Sequence, residues 1–233
     1  MPGRRQEMQS NYRRYDIYAL IHKGLRAYLS HVLLEVGRTD WRDTANRTAS
    51  IAAVRELLTV FRIHLTQEDR VIHPAMEARQ PGSTRQAATD HMAHLHAIEQ
   101  LQDVASTVDS ANNYNLESAG EWLYRELAMF VSDNLEHMAV EESINNRVLW
   151  ETHSDDEIIA MERAIVTATP PEHMLPMLRW TMPNLAPDER ALMLGEMLRY
   201  GAPAEVFDGV LAMMRALLPP KDWSKLTVAL STN

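Results

Sequence analysis

A chain of 233 residues, 45% of them hydrophobic, is long enough to enclose a sizeable core as one large domain or as a domain with an extension. It contains no cysteine, which excludes disulfides, thiolate zinc sites, iron-sulfur clusters and a cysteine nucleophile; any bound metal has to be held by imidazole and carboxylate. A formal net charge of -9 disfavours phosphate backbones, and no Lys/Arg stripe interleaved with aromatics offsets it, so a small ligand is expected and nucleic acid is not.

No apolar run approaches the roughly 18 to 20 residues that span a bilayer. The opening MPGRRQEMQSNYRRYD has basic residues but no apolar stretch behind them, so no leader and no membrane partner is expected and the protein is placed in the cytoplasm. Eight glycines, scarce β-branched alternation and apolar residues recurring at three and four positions predict an all-α protein. The first helix is expected over residues 16–36, closing at Gly37, and the second over 43–78 with a break near Pro74. Gln80-Pro81-Gly82-Ser83 then interrupts the chain. A third helix is expected over 84–106, a polar loop over 109–115 and a fourth helix over 116–150. Together they predict an up-and-down four-helix bundle occupying residues 14–152. From 153 to 233 prolines punctuate shorter apolar segments, such as 191–200 and 204–218, and a helical C-terminal extension packing on the bundle is expected. Its methionines Met193, Met197, Met213 and Met214 fall at helical spacing and read as packing residues.

The chemistry is left to ten histidines. His-x-x-x-Glu occurs at His31/Glu35, His64/Glu68, His73/Glu77, His137/Glu141 and His153/Glu157, so that motif cannot by itself name a site. A metal inside a bundle has to face the core, and at about 100° per residue each candidate can be placed against the apolar stripe of its own helix. His22 falls within the arc of Leu25, Leu29, Val32, Leu33 and Val36, whereas His31 falls about 180° away. His64 shares a face with Leu57, Val60, Phe61, Val71 and Ala75, with Glu68 one turn further on; His73 falls on the opposite side. On the fourth helix His137 and Glu141 sit among Leu123, Phe130, Val140, Ile144 and Val148, and His153 lies past the end of that stripe. His91 is central to the arc of Ala87, Ala88, Leu95, Ile98 and Ala105, His94 is offset from it by about 60°, and His96, about 140° away, faces solvent.

A single inward histidine is most often a core imidazole hydrogen-bonded to a neighbouring helix. Here four helices each present one, and two of them add an inward carboxylate a turn later, which is costly to bury without a cation. Imidazole and carboxylate suit iron, manganese or zinc, and four histidines with two carboxylates exceed what one tetrahedral zinc ion uses, so two ions are expected. In that arrangement Glu68 and Glu141 bridge the metals and the histidines fill terminal positions, leaving room for water, oxygen or another small ligand.

The motifs His22 in IHKGLR, His64 and Glu68 in HLTQED, His91 in DHMAHLHAI and His137 with Glu141 in HMAVEE resemble, in order and helix placement, the hemerythrin-like family, also called the HHE cation-binding domain. The resemblance covers about residues 14 to 152 and implies a four-helix bundle with a non-haem di-iron centre whose ligands are those six residues, iron being preferred to manganese or zinc. The C-terminal part looks like an extension found in some longer members. The sequence departs from the oxygen-carrier type: the fourth helix carries His-x-x-x-Glu instead of His followed by Asp at five positions, and the third lacks His-x-x-x-His. His94 then stands either as a further ligand or as a group behind the ligands, and Tyr18, a turn before His22, as a core residue or a pocket wall.

The leading functional expectation is a cytoplasmic di-iron protein that binds O2 or a related diatomic such as NO, in sensing, storage or stress defence. An alternative is a di-iron oxidase or oxygenase acting on a small organic substrate; Glu126, three turns before His137, then stands either as a wall of its pocket or, more commonly for such a residue, as a snorkelling or capped glutamate. A third is a structural protein whose metal locks the bundle.

Overall fold

The computed structural model describes residues 14–231. Most of the basic opening segment used above for localisation, residues 1–13, lies outside them. Among the described residues the chain is helical throughout, with no strand, and no helix is long and apolar enough to cross a membrane.

Helix α1 runs Ala19–Gly37, and it starts later than its apolar period suggests because Asp16 acts ahead of it: Oδ1 accepts from the N–H groups of Tyr18 and Ala19, both at 3.0 Å. Helix α2, Thr44–Gln67, is capped by Asp43, whose carboxylate accepts from the N–H of Asn46 at 2.9 Å. A five-residue π turn, Glu68–Ile72, joins it without interruption to α3, His73–Arg79. The break expected near Pro74 is this turn. Proline cannot donate to the carbonyl four residues back and crowds it; the widened turn, in which the His73 N–H reaches the carbonyl of Glu68, accommodates Pro74 in the first turn of α3.

The chain then reverses through Gly82, whose φ of +85° glycine adopts without strain. Glu77 ties this reversal down by accepting from the N–H of Gly82 (2.7 Å) and from both the N–H and hydroxyl of Thr84 (2.9 and 2.7 Å). Helix α4 spans Arg85–Ser110, four residues beyond its expected end at 106, and packs against α2 and α5. Helix α5, Leu116–Val140, leads through a second π turn, Glu141–Asn145, into α6, Asn146–Thr152. Ser154 and Glu157 form a reciprocal cap that opens α7, Asp155–Ala168. There follow α8, Pro171–Thr181, a 3-10 turn Met182–Asn184, α9, Pro187–Arg199, α10, Ala204–Leu217, and α11, Pro220–Ser231.

The chain divides into two compact units, one comprising residues up to Ala19 and Leu29–Pro170, the other Leu20–Tyr28 and Pro171 onward. In the first, Leu57, Phe61, Ile98, Leu123, Leu127 and Phe130 are buried, with the rings of Phe61 and Phe130 edge to face at 5.5 Å. Gly120 admits Trp41 so closely that a Cβ there would lie 2.2 Å from the indole. A second apolar cluster gathers Ile17, Tyr18, Ile72, Met76, Val148, Leu149, Ile158 and Met161, so the residues that follow both π turns pack with α7. In the other unit Met182, Leu185, Leu194, Val210, Met214 and Leu226 form an apolar core with Met193, Met197 and Met213 against it, and the rings of Tyr28 and Trp180 stack at 4.3 Å.

The π turns correct two facing assignments. Each inserts one extra residue, so every later side chain is rotated by about 100° from where an unbroken helix would put it. His73, expected on the solvent side, is buried, while Ile144, expected in the apolar stripe, is 44% exposed. His153 is also buried, beside the hydroxyl of Thr152 at 2.8 Å.

Candidate metal centre

The π turns begin at Glu68 and at Glu141, one turn after His64 and His137. All six residues singled out from the sequence are buried, Glu68 at 3% exposure and Glu141 and His22 at 0%. They fall into two groups: His22, His64, Glu68 and Glu141 offer one ligand atom each within 4.8 Å of one another, and so do His91, His137, Glu68 and Glu141. Both glutamates belong to both groups.

The distances are those of donors gathered around common points. His64 Nε2 lies 3.5 Å from Glu68 Oε1, His137 Nε2 3.3 Å from Glu141 Oε2, and His91 Nε2 3.6 Å from Glu68 Oε2 and 3.7 Å from Glu141 Oε1. His91 Nε2 and His137 Nε2 are 3.0 Å apart. Each spacing suits two atoms sharing a cation at about 2.0–2.2 Å from each.

Electrostatics argue for a cation here. Burial first, and the charge of Glu141 second, push the Glu68 carboxyl well above its usual range, and Glu68 Oε2 has no hydrogen-bond donor. Burial followed by the charges of Glu141 and Glu68 likewise raises Tyr18, a fully buried member of the apolar cluster whose hydroxyl Asn145 bonds. Two carboxylates so placed are stable together once positive charge lies between them. Four imidazole nitrogens and two carboxylates, with no thiolate, fit a first-row divalent metal.

Around these six stand residues that the facing argument missed. Asp69 Oδ1 lies 2.8 Å from His91 Nδ1 and 2.9 Å from His73 Nδ1, and Asp90 Oδ2 lies 3.6 Å from His137 Nδ1. The available signal was adjacency: Asp69 follows Glu68 directly and Asp90 directly precedes His91. Asp69, His73 and His91 themselves form a third group of potential ligands.

His94 is buried and packs edge to face on His137 at 4.9 Å, yet belongs to none of these groups. Burial above all, then the neighbouring His137 and His91, push its pKa down to about 4, so it stands neutral beside them. Glu126 is exposed and accepts from Trp122 Nε1 at 3.1 Å, which removes it as a pocket residue. His31 and His96 are exposed as expected.

A family model described as Hemerythrin HHE cation binding domain matches residues 14–149, from just ahead of α1 into α6. A search of curated proteins finds no significant match to the chain.

Proposed function

Since this chain belongs to the Hemerythrin HHE cation binding domain family, we propose that its buried His/Glu cluster holds two iron ions and binds O2 or a related diatomic such as NO. The observation that carries this reading is the sharing of Glu68 and Glu141 between two four-residue groups, the pattern expected of two metals bridged by two carboxylates. His22 and His64 would hold one ion and His91 and His137 the other. The bundle that supports them would have the up-and-down arrangement of four helices, and a cytoplasmic setting suits a protein with this ligand.

Within that reading the protein residues have separable tasks. The glutamates supply the negative charge that makes the interior favourable for cations, and the imidazoles supply neutral nitrogen donors. Phe61 and Phe130 keep water from one side, and Tyr18 with its apolar neighbours does so from another. Bound iron would contribute redox capacity and coordination positions open to a diatomic.

The test is elemental analysis of the purified chain followed by absorption spectra as the reduced form meets O2. About two irons per chain with a stable, reversible spectral change supports binding. A transient that decays to the starting spectrum moves the reading to an oxidase with an organic substrate. A chain that takes up no metal overturns it.

A further inference from the structure

The deepest feature left unused by that reading is the group Asp69, His73 and His91. We propose that Asp69 is a positioning residue, a carboxylate strut that sets the ring of His91 and is itself held in place by His73. This rests on the metal centre proposed above.

One oxygen, Asp69 Oδ1, meets two imidazole nitrogens at hydrogen-bond length, His91 Nδ1 at 2.8 Å and His73 Nδ1 at 2.9 Å. A carboxylate oxygen accepts, so in each ring Nδ1 carries the hydrogen and donates. That choice leaves the lone pair of His91 on Nε2, the atom 3.6 and 3.7 Å from Glu68 and Glu141 and 3.0 Å from His137 Nε2. Asp69 therefore fixes both the tautomer and the aim of one metal-facing nitrogen, and its negative charge makes that nitrogen a stronger donor.

His73 holds the other end. Its ring stacks on that of His91, centroids 4.8 Å apart and planes at 28°, and it is buried although Asp69 is 38% exposed. The first π turn makes this possible. Asp69 lies inside it and His73 is the first residue after it, and the His73 N–H is the one that closes on the carbonyl of Glu68. An unbroken helix would keep His73 one turn from Asp69 but carry its ring round to the solvent side, away from His91.

The experiment uses the full chain loaded with ferrous iron, anaerobically, and measures metal content and the rate of iron transfer to excess chelator. For Asp69→Ala the release should accelerate about 10- to 100-fold. Asp69→Asn, whose amide oxygen still accepts, should recover much of the lost retention, and His73→Phe, which keeps the ring stack but not the hydrogen bond, should accelerate release by a smaller factor. Melting of the metal-free variants controls for folding, and it should stay close to that of the parent. Release from Asp69→Ala at the parent's rate, with the parent holding two ions, overturns the strut and leaves the centre standing. Three ions in the parent falling to two in Asp69→Ala overturns it as well, because the group would then be a metal site of its own. A parent chain that takes up no iron ends both proposals.

Discussion

Helix α4 and the two glutamate-bearing helices present candidate ligands to the same interior in different ways. The α4 helix is unbroken, and His91 and His94 face inward through ordinary helical spacing. The lines α2 to α3 and α5 to α6 each place a histidine, then a glutamate one turn on, and then widen into a π turn that begins at the glutamate. Below α4's histidines the apolar period simply continues through Ile98, Leu101 and Ala105. Below the glutamates the extra residue turns Ile72 and Met76, and Val148 and Leu149, into the apolar cluster with α7. Each buried His/Glu pair thus sits at a change of helical register, whereas the helix that carries His91 and His94 has none.

The largest effect expected from breaking this contrast is at the glutamates. In Glu141→Ala, elemental analysis should find nearly all bound metal lost, while His31→Ala, on the exposed face, should keep about two ions per chain. The metal-free chain should respond in the opposite sense: Glu141→Gln removes the charge that, after burial, does most to raise the Glu68 carboxyl, so its melting temperature should rise above that of the metal-free parent. Equal metal retention in Glu141→Ala and His31→Ala would end the distinction between buried and surface copies of the motif.

Deleting Arg70, an exposed residue within the first π turn, tests the register change itself. The turn should close to a regular α-helical one and rotate α3 away from the apolar cluster, uncovering Met76 and His73. A loss of about 3 kcal/mol or more is expected, read from the urea midpoint, because a large core side chain is withdrawn. An unchanged midpoint would mean that the widened turn is incidental to packing.

The smallest effect concerns a copy of the motif outside the centre, His153/Glu157. Glu157 pairs with Arg79 and caps α7 through Ser154, and these contacts, Arg79 first, lower its pKa from 4.5 to about 2. A carboxylate with a depressed folded pKa adds stability above its unfolded value and loses it as pH falls through the folded one. Glu157→Gln should therefore melt lower than the parent at neutral pH, and the gap should close between about pH 4.5 and about pH 2. Metal content should not change.

Much of this was legible in the sequence because helical period and burial share one geometry. His22, His64, Glu68, His91, His137 and Glu141 face inward by helical spacing, His31 and His96 outward, and their burial in the structure agrees. The same arithmetic failed for His73 and Ile144, both of which lie beyond the start of a π turn, since a constant 100° step has no means of registering one extra residue. Asp69 and Asp90 were missed for another reason. A carboxylate that meets the far nitrogen of an inward imidazole stands beside the apolar stripe and not within it, so a test for inward residues passes over it. Of the two places open to Glu126, a pocket wall or the surface, it takes the surface, where Trp122, one turn before it, offers an indole N–H.

Pro74 gives the two widened turns different mechanical characters. Either turn can in principle slip, handing its surplus residue along the helix as hydrogen bonds re-pair from one register to the next. Such migration requires each residue in its path to offer an N–H to the carbonyl four behind it, and proline has none. The first bulge is thereby barred from passing beyond Pro74, whereas the helix beyond Glu141 has no proline through Thr152 to bar the second.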